Sequence, residues 1–346
     1  MPPRTNALGL SRKDYDGRPS TLCPGCGHDS ISNQIQSMAY DLGLEQHKVI
    51  KMSGIGCSSK TPAYFLGRSH GFNAVHGRMP SVVTGAMMAN RELKAVAVSG
   101  DGDTGSIGFG QFKHVIRRNV PFVYVIENNG VYGLTKGQFS ATADEGQYLK
   151  YYGKNELPAI DLALEAIIAG ATFVARSFSG DAKQVQTLLK AAINHPGTAI
   201  IDIISPCVTF NNDDSSTKSY GYGKANEIPL HEIQYMSPFY VAEKEEITVE
   251  DYDEGQTITV EMHDGSYIRL KKIDPEHDPR NRQKAIEALE RATRENIFMT
   301  GLIYYEEPRP TLADTENLIP TALSHMPTEH MRPGREALDN VMARFK

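Results

Sequence analysis

An α/β fold, a mainly parallel sheet flanked by helices, is what three observations on this 346-residue sequence predict. From about residue 29 to 205, apolar strand-like runs alternate with segments of helical period, the pattern of repeated βαβ units. The residues richest in chemistry fall just after those runs, where open parallel sheets place their ligands. Hydrophobic residues make up 40% of the chain, enough to fill one large domain or two ordinary ones.

Residues 1–19 read as an N-terminal arm. DSISNQIQSMAYDLG then places Ile31, Ile35, Met38 and Leu42 at helical spacing behind the candidate caps Asp29 and Ser30. The strands follow as HKVIKMS, LKAVAVSG, VPFVYVIEN, ATFVARSF and TAIIDIIS, with SGDAKQVQTLLKAAINHPG as a second capped crossover helix. After about residue 208 the chain turns polar in FNNDDSSTKSYGYGKANE and acidic in EKEEITVEDYDEG. TITVEMHDGSYIRLKK alternates on both sides of His263, Asp264, Gly265 and Ser266, and Asp264-Gly265 is a hairpin-turn signal. NRQKAIEALERATRENIFMTG reads as an amphipathic helix, and the Pro-rich end as an extended arm laid on a partner. The expected division is an arm at 1–19, a ligand-binding domain at 20–240 and an extension at 241–346, set at a subunit interface.

Composition excludes several classes. The net charge of −6 and the absence of a basic run argue against nucleic-acid binding. No apolar stretch approaches the roughly 18 residues that span a bilayer, and MPPRTNALGLSRKDYDGRPS lacks the apolar segment of a signal peptide, so no membrane association and a cytoplasmic location are expected. Four cysteines, Cys23, Cys26, Cys57 and Cys207, are too few for a disulfide scaffold. In a reducing compartment they point instead to a metal or a cluster.

AVAVSGDGDTGSIGFGQFKHVI carries Gly100, Gly102 and Gly105 in the G-x-G-x-x-G spacing of dinucleotide-binding loops, with Glu127 ending the next strand. Asp101 and Asp103, however, would press carboxylates against a pyrophosphate, which such loops bind with bare amides. A divalent cation between them removes the repulsion. An EF-hand starting at Asp101 fails, because its sixth position is Ser106 and its twelfth Phe112. Asn128-Asn129 ends the following strand, so the acidic loop and the asparagine pair converge as hard oxygen donors for Mg²⁺ beside a diphosphate.

Cys57 and Cys207 each follow a predicted strand, within reach of the Cys23/Cys26 loop. Haem attachment needs a histidine directly after the second cysteine, and Gly27 intervenes before His28. A redox dithiol leaves Cys57 and Cys207 without a role, and zinc ribbons pair two Cys-x-x-Cys knuckles where this chain has one. One close pair plus two distant cysteines suits a 4Fe-4S cage, while spacing alone leaves zinc open.

GDGD followed by some thirty residues ending in NN resembles the thiamine-diphosphate signature. In order, CPGCGH, GIGCSSK, HGR, GDGD, NNGVYGLTKGQ and SPC resemble the β subunits of the 2-oxoacid:ferredoxin oxidoreductases over residues 20–240. The later hairpin and helix resemble the extension of bacterial 2-oxoglutarate enzymes of that family. The resemblance implies thiamine diphosphate with Mg²⁺ on Asp101, the Asn129 side chain and the Val131 carbonyl. It implies one 4Fe-4S cluster on Cys23, Cys26, Cys57 and Cys207. Gly56, His76, Gly77, Gly100, Gly102, Asp103, Gly133, Leu134 and Thr135 would border the cofactor, His28 would face it, and Lys60 and Lys136 would meet substrate carboxylates.

By the same resemblance the thiazolium attacks the 2-oxo carbon, CO₂ leaves, the cluster takes electrons singly and passes them to ferredoxin, and coenzyme A collects the acyl group. Two cations suit a dicarboxylate such as 2-oxoglutarate; pyruvate or a broad range of 2-oxoacids is the alternative. The glutamate that activates thiamine has no recognisable motif here, which implies an α subunit that supplies it and an α2β2 heterotetramer. A non-redox thiamine enzyme and a zinc-stabilised interaction subunit are the competing classes.

Overall fold

The computed structural model describes residues 5–237, 257–261, 265–274, 276–307 and 309–345. In chain order come α1 (Gly27–Asp41), β1 (Val49–Ser53), β2 (His70–Asn73), α2 (Met79–Ala89), β3 (Lys94–Gly100), α3 (Phe109–Arg117) and β4 (Phe122–Asn128). Two short hairpins follow, β5 (Val131–Tyr132) with β6 (Gln138–Phe139) and β7 (Tyr148–Leu149) with β8 (Gly153–Lys154). Then come α4 (Leu162–Ala169), β9 (Phe173–Phe178), α5 (Ala182–Asn194), β10 (Thr198–Ile204), α6 (Tyr220–Asn226), β11 (Glu227–Pro229) and β12 (His231–Met236). The C-terminal third adds β13 (Thr257–Glu261), β14 (Tyr267–Lys272), α7 (Arg282–Glu295), β15 (Phe298–Tyr305), α8 (Leu312–Thr315), α9 (Thr328–Met331) and α10 (Arg335–Ala343).

Among the described residues the main sheet has eight strands in the order β11-β15-β9-β10-β4-β3-β1-β2. All neighbours pair in parallel except β15 with β9. Period-two alternation feeds both faces: Val96, Val98, Val123 and Val125 join the core under α1 and α5, while Ala95, Ala97, Tyr124 and Ile126 join the core under α2, α3, α4 and α7. Ile31, Ile35 and Met38 of α1 meet Val185, Leu188 and Leu189 of α5 on the first face. Burying each such side chain stabilises the fold by about 1.5–3 kcal/mol.

The five expected strands are present, but two helix boundaries move and one edge strand was not expected. Helix α1 begins at Gly27 with Cys26 as its N-cap, so Asp29 lies in the first turn, where its charge complements the helix dipole, rather than at the cap. Helix α7 stops at Glu295 because Asn296 takes a left-handed φ of 53° as its C-cap, and the FMTG read as helix opens β15. Edge strand β2 gave no apolar alternation because all four of its residues are exposed.

The segments around Asp264-Gly265 pair antiparallel as β13 and β14; Asp264 and the acidic segment 243–255 lie outside the described residues. The division expected at residue 240 lies outside the described residues, and elements from beyond it pack with those before it. Strand β14 pairs with β12, Ile268 and Leu270 enter the α1/α5 core, and β15 joins the main sheet. The described part of the N-terminal arm also packs down, with Tyr15 fully buried and its hydroxyl donating to the Leu44 carbonyl at 3.1 Å. Among the described residues no helix is long and apolar enough to cross a membrane.

Candidate active site

Strands β1, β3, β4, β9 and β10 run parallel and end at one edge, where the singled-out loops meet. Asp101 directly follows β3 and is 1% exposed. Its carboxylate accepts from the Asn129 N–H at 3.2 Å, the Gly130 N–H at 3.1 Å, the Thr142 hydroxyl at 2.6 Å and the Ser140 hydroxyl. Burial raises its pKa above the usual carboxylate value, against the pull of those donors. The Asn129 Oδ1 accepts from the Val131 N–H at 3.0 Å, so the Asn129-Val131 turn closes on itself beside Asp101. Gly102 is required by close approach, since a Cβ there would sit 2.4 Å from the Tyr132 ring, whose hydroxyl donates to the Gly102 carbonyl at 3.0 Å.

Asp103 turns toward a different loop. It opens a π-helical turn, Asp103–Ile107, of a kind frequent at functional sites. Its carboxylate contacts His76 Nδ1 at 2.7 Å and accepts from the Gly77 N–H at 2.9 Å and the Ser99 hydroxyl at 2.7 Å. His76 and Gly77 are thereby fixed one residue pair from Asp101, on the side of β1 and β2. Gly100 is the last residue of β3, in register with Glu127.

The four cysteines are free and gather at the same edge. Cys26 caps α1, its N–H donating to the Cys23 carbonyl at 3.0 Å, and the Gly27 N–H donates to Pro206 at 3.3 Å, which joins the first pair to the Cys207 loop. Gly133 lies between the other two: a Cβ there would stand 3.3 Å from Cys57 Sγ and 3.7 Å from Cys207 Sγ. Burial pushes the Cys26 thiol up to about 12 and raises Cys57 and Cys207, with repulsion among the thiolates adding to it. Among the described residues, no three His, Cys, Asp or Glu side chains surround a single-ion position.

His28 bridges the two loops. Its Nδ1 lies 2.6 Å from Ser205 Oγ, and its Nε2 lies 3.5 Å from Asn129 Nδ2. With Nδ1 protonated toward Ser205, Nε2 is the acceptor for the Asn129 amide. Burial lowers the His28 pKa to about 4, so the ring is neutral at pH 7. Beneath it Glu127 is fully buried, 3.6 Å from Nδ1, and neither carboxyl oxygen has a hydrogen-bond partner among the described residues. Burial raises the Glu127 pKa well above 4.5, which favours the neutral acid.

Lys60 lies just beyond Cys57, with its ammonium 3.2 Å from Thr21 Oγ1. Gly56, at φ 125°, opens that turn, and its carbonyl accepts from Ser59 Oγ at 2.6 Å. Leu134, Thr135 and Lys136 are exposed. Lys136 holds a left-handed φ of 76°, a conformation uncommon for a non-glycine residue. Sequence reasoning missed Ser140, Thr142 and Ser205. Ser205 was findable as the neighbour of Pro206-Cys207, whereas Ser140 and Thr142 carry no motif. A cavity of about 360 Å³ opens beside this edge rather than on it, lined by Asn128, Thr142, Asp161, Arg176, Asp202 and Lys218 among others.

Residues 54–203 match the C-terminal, thiamine-pyrophosphate-binding domain of thiamine pyrophosphate enzymes, which defines the class to which this sheet edge belongs. The 2-oxoacid:ferredoxin oxidoreductase β subunit of Saccharolobus solfataricus is 42% identical over 199 residues, covering 57% of this chain and 65% of that one, just under two thirds of its length. The 2-oxoglutarate synthase subunit KorB of Methanocaldococcus jannaschii is 34% identical over 67% of this chain and 86% of that one. The chain belongs to the β subunits of the 2-oxoacid:ferredoxin oxidoreductases. The solved 2-oxoglutarate:ferredoxin oxidoreductase of Magnetococcus marinus, with 2-oxoglutarate, coenzyme A and succinyl-CoA bound, superposes with a TM-score of 0.70 at 31% identity over 89% of each chain.

Proposed function

We propose that this chain is the β subunit of a 2-oxoglutarate:ferredoxin oxidoreductase, which converts 2-oxoglutarate and coenzyme A to succinyl-CoA and CO₂ and passes two electrons to ferredoxin. The observation that carries this reading is the meeting of an oxygen-donor loop and four free thiols at one edge of a parallel sheet, joined through His28. The named relatives of Methanocaldococcus jannaschii and Magnetococcus marinus support 2-oxoglutarate as the substrate.

The residues fit the groups this chemistry needs. Asp101, Asn129 Oδ1 and the Val131 carbonyl offer hard oxygens that suit Mg²⁺ and leave room for diphosphate oxygens. The four thiols offer soft ligands, and a 4Fe-4S cluster takes one thiolate per iron, which spreads its ligands more widely than a single ion does. Bound there, thiamine diphosphate supplies the electron sink for loss of CO₂ and the cluster supplies the one-electron acceptor. This chain's part is to hold them: His28 orients the Asn129 amide from the cysteine side, and Gly133 lets the backbone approach Cys57 and Cys207. Lys60 and Lys136 place two cations for the two carboxylates of 2-oxoglutarate.

The glutamate that activates thiamine comes from an α subunit in an α2β2 assembly on this reading, since Glu127 is fully buried against His28. Anaerobic co-purification with the α subunit tests the whole proposal. A brown protein with iron, sulfide and thiamine, reducing ferredoxin faster with 2-oxoglutarate than with pyruvate, is expected. A colourless preparation, or one holding zinc without thiamine, sinks it, and a preference for pyruvate removes the substrate assignment.

A further inference from the structure

A chain of buried polar side chains crosses the ends of four strands. Arg176 on β9 donates to Asp161 at 2.6 Å and to Asp202 Oδ2 on β10 at 3.0 Å. Asp202 Oδ1 accepts from Asn128 Nδ2, at the end of β4, at 2.9 Å. That bond fixes the amide's orientation, because a carboxylate held by an arginine accepts only from the N–H side. The Asn128 Oδ1 therefore faces Thr142, whose hydroxyl lies 2.8 Å away, and the same hydroxyl lies 2.6 Å from Asp101 Oδ2. Asp202, Asn128 and Thr142 are 1%, 3% and 2% exposed, so these bonds are held largely out of bulk water.

A hydroxyl has one proton, and here the Asp101 carboxylate and the Asn128 Oδ1 compete for it, with Ser140 Oγ, itself a donor to Asp101, farther off at 3.2 Å. With Asp101 unliganded, the carboxylate is the stronger acceptor and holds the Thr142 proton. A divalent cation on Asp101 draws that electron density away and repels the proton. We propose that Thr142 is a positioning residue whose hydroxyl swings from Asp101 to Asn128 as Asp101 takes its cation, so that Asn128 sets how tightly the cation is held. Without Asn128 the remaining alternative is Ser140 Oγ at 3.2 Å, a longer contact to a group already donating to Asp101, so the hydroxyl would stay toward Asp101 and oppose the ion. This inference rests on the cation reading of Asp101 given above.

The test is a double-mutant cycle read by Mn²⁺ titration of the intact complex with thiamine diphosphate, following the electron-paramagnetic signal of free Mn²⁺. Asn128→Leu is expected to weaken Mn²⁺ about tenfold, the scale of one hydrogen bond to a charged group. Thr142→Val loses one bond in each state and is expected to change affinity by no more than about twofold, as is Thr142→Ser, which keeps the hydroxyl. The double variant should match Thr142→Val alone. An Asn128→Leu loss of equal size with and without the hydroxyl, or no loss at all, overturns the proposal.

Should Asn128→Leu fail to fold, Asp202→Asn decides. It frees the amide to flip and offer N–H to Thr142, and a weakening present with Thr142 but absent with Val at that position is expected; an unchanged affinity overturns the proposal. Asp101→Ala separates the two levels. If that variant still binds Mn²⁺ normally the cation reading itself is wrong, whereas if it loses Mn²⁺ and Asn128→Leu does not, only the Thr142 swing is wrong.

Discussion

The Asp101 loop and the cysteine loops share one sheet edge yet are built in opposite ways. Asp101 is enclosed by four donors from its own chain, so its geometry exists before any ligand arrives. The cysteines are held less evenly: backbone N–H groups of Thr209, Phe210 and Asn211 face Cys207 and that of His28 faces Cys26, whereas Cys23 is exposed, with the Thr209 hydroxyl donating to its sulfur at 3.3 Å, and burial presses the other three thiols toward the neutral form. One site is preorganised by the fold and the other takes its final shape from what binds it, as metal sites coupled to folding do. Strand ends explain the contrast. Asp101, Asn128 and Asn129 stand at or directly after strands held in parallel ladders, whereas Cys23 and Cys26 reach the edge on a loop tied down by the start of α1 and by single bonds from neighbouring loops.

The largest expected effect breaks the pair apart. Cys57→Ser removes a thiolate that a hydroxyl does not replace, so the visible absorption, the acid-labile sulfide and ferredoxin reduction should be lost. Because Asp101 is pre-built, thiamine diphosphate affinity measured by calorimetry should stay within about twofold. Joint loss of both would show that the Asp101 loop also depends on the cluster, through His28. A smaller effect belongs to Lys136, which neither loop constrains. Lys136→Met should raise KM for 2-oxoglutarate by about ten- to a hundredfold, the value of one charge-assisted bond, and leave that for a neutral-tailed 2-oxoacid near its original value. Equal shifts for both substrates would remove Lys136 from substrate recognition.

Much of this edge was legible in the sequence because its chemistry is local. GDGD, NN and the cysteine loops stand directly after strands whose apolar runs are unmistakable, so a parallel sheet brings them together. What stayed hidden is what depends on packing across distant segments. Thr142 and Asp202 gain their roles only when β4 and β10 lie side by side, and no spacing announces that. Glu127 resembled the acid of a dinucleotide site, and only its complete burial beside His28 separates it from one. Strand β15 escaped notice for a different reason. Its apolar run abuts the end of α7 with Asn296 as the single stop signal, and it enters the sheet antiparallel, outside the βαβ rhythm.

The smallest effect separates the pH response of the edge from that of the scaffold. His231, on β12 and remote from both loops in the chain, is buried with its Nε2 accepting from the Leu302 N–H at 3.0 Å. Burial, aided by His277, lowers its pKa from 6.5 to about 3. Between those values the unfolded chain holds the proton and the folded one does not, so stability present above pH 6.5 falls as pH drops toward 3, by about 1.4 kcal/mol per unit. His28, lowered to about 4 by burial, adds a slope of the same sign at the cofactor edge. His231→Asn keeps an acceptor for Leu302 and does not titrate, so urea unfolding at pH 7 and pH 5 should show a clearly smaller acid loss than the wild type. What remains is the net of His28 and of the buried carboxyls Glu127 and Asp101, whose raised pKa values oppose it, and binding of thiamine diphosphate to the preorganised loop should shift that remainder while leaving the His231 part untouched. An unchanged acid loss in His231→Asn would mean that the scaffold histidine is not a source of the slope.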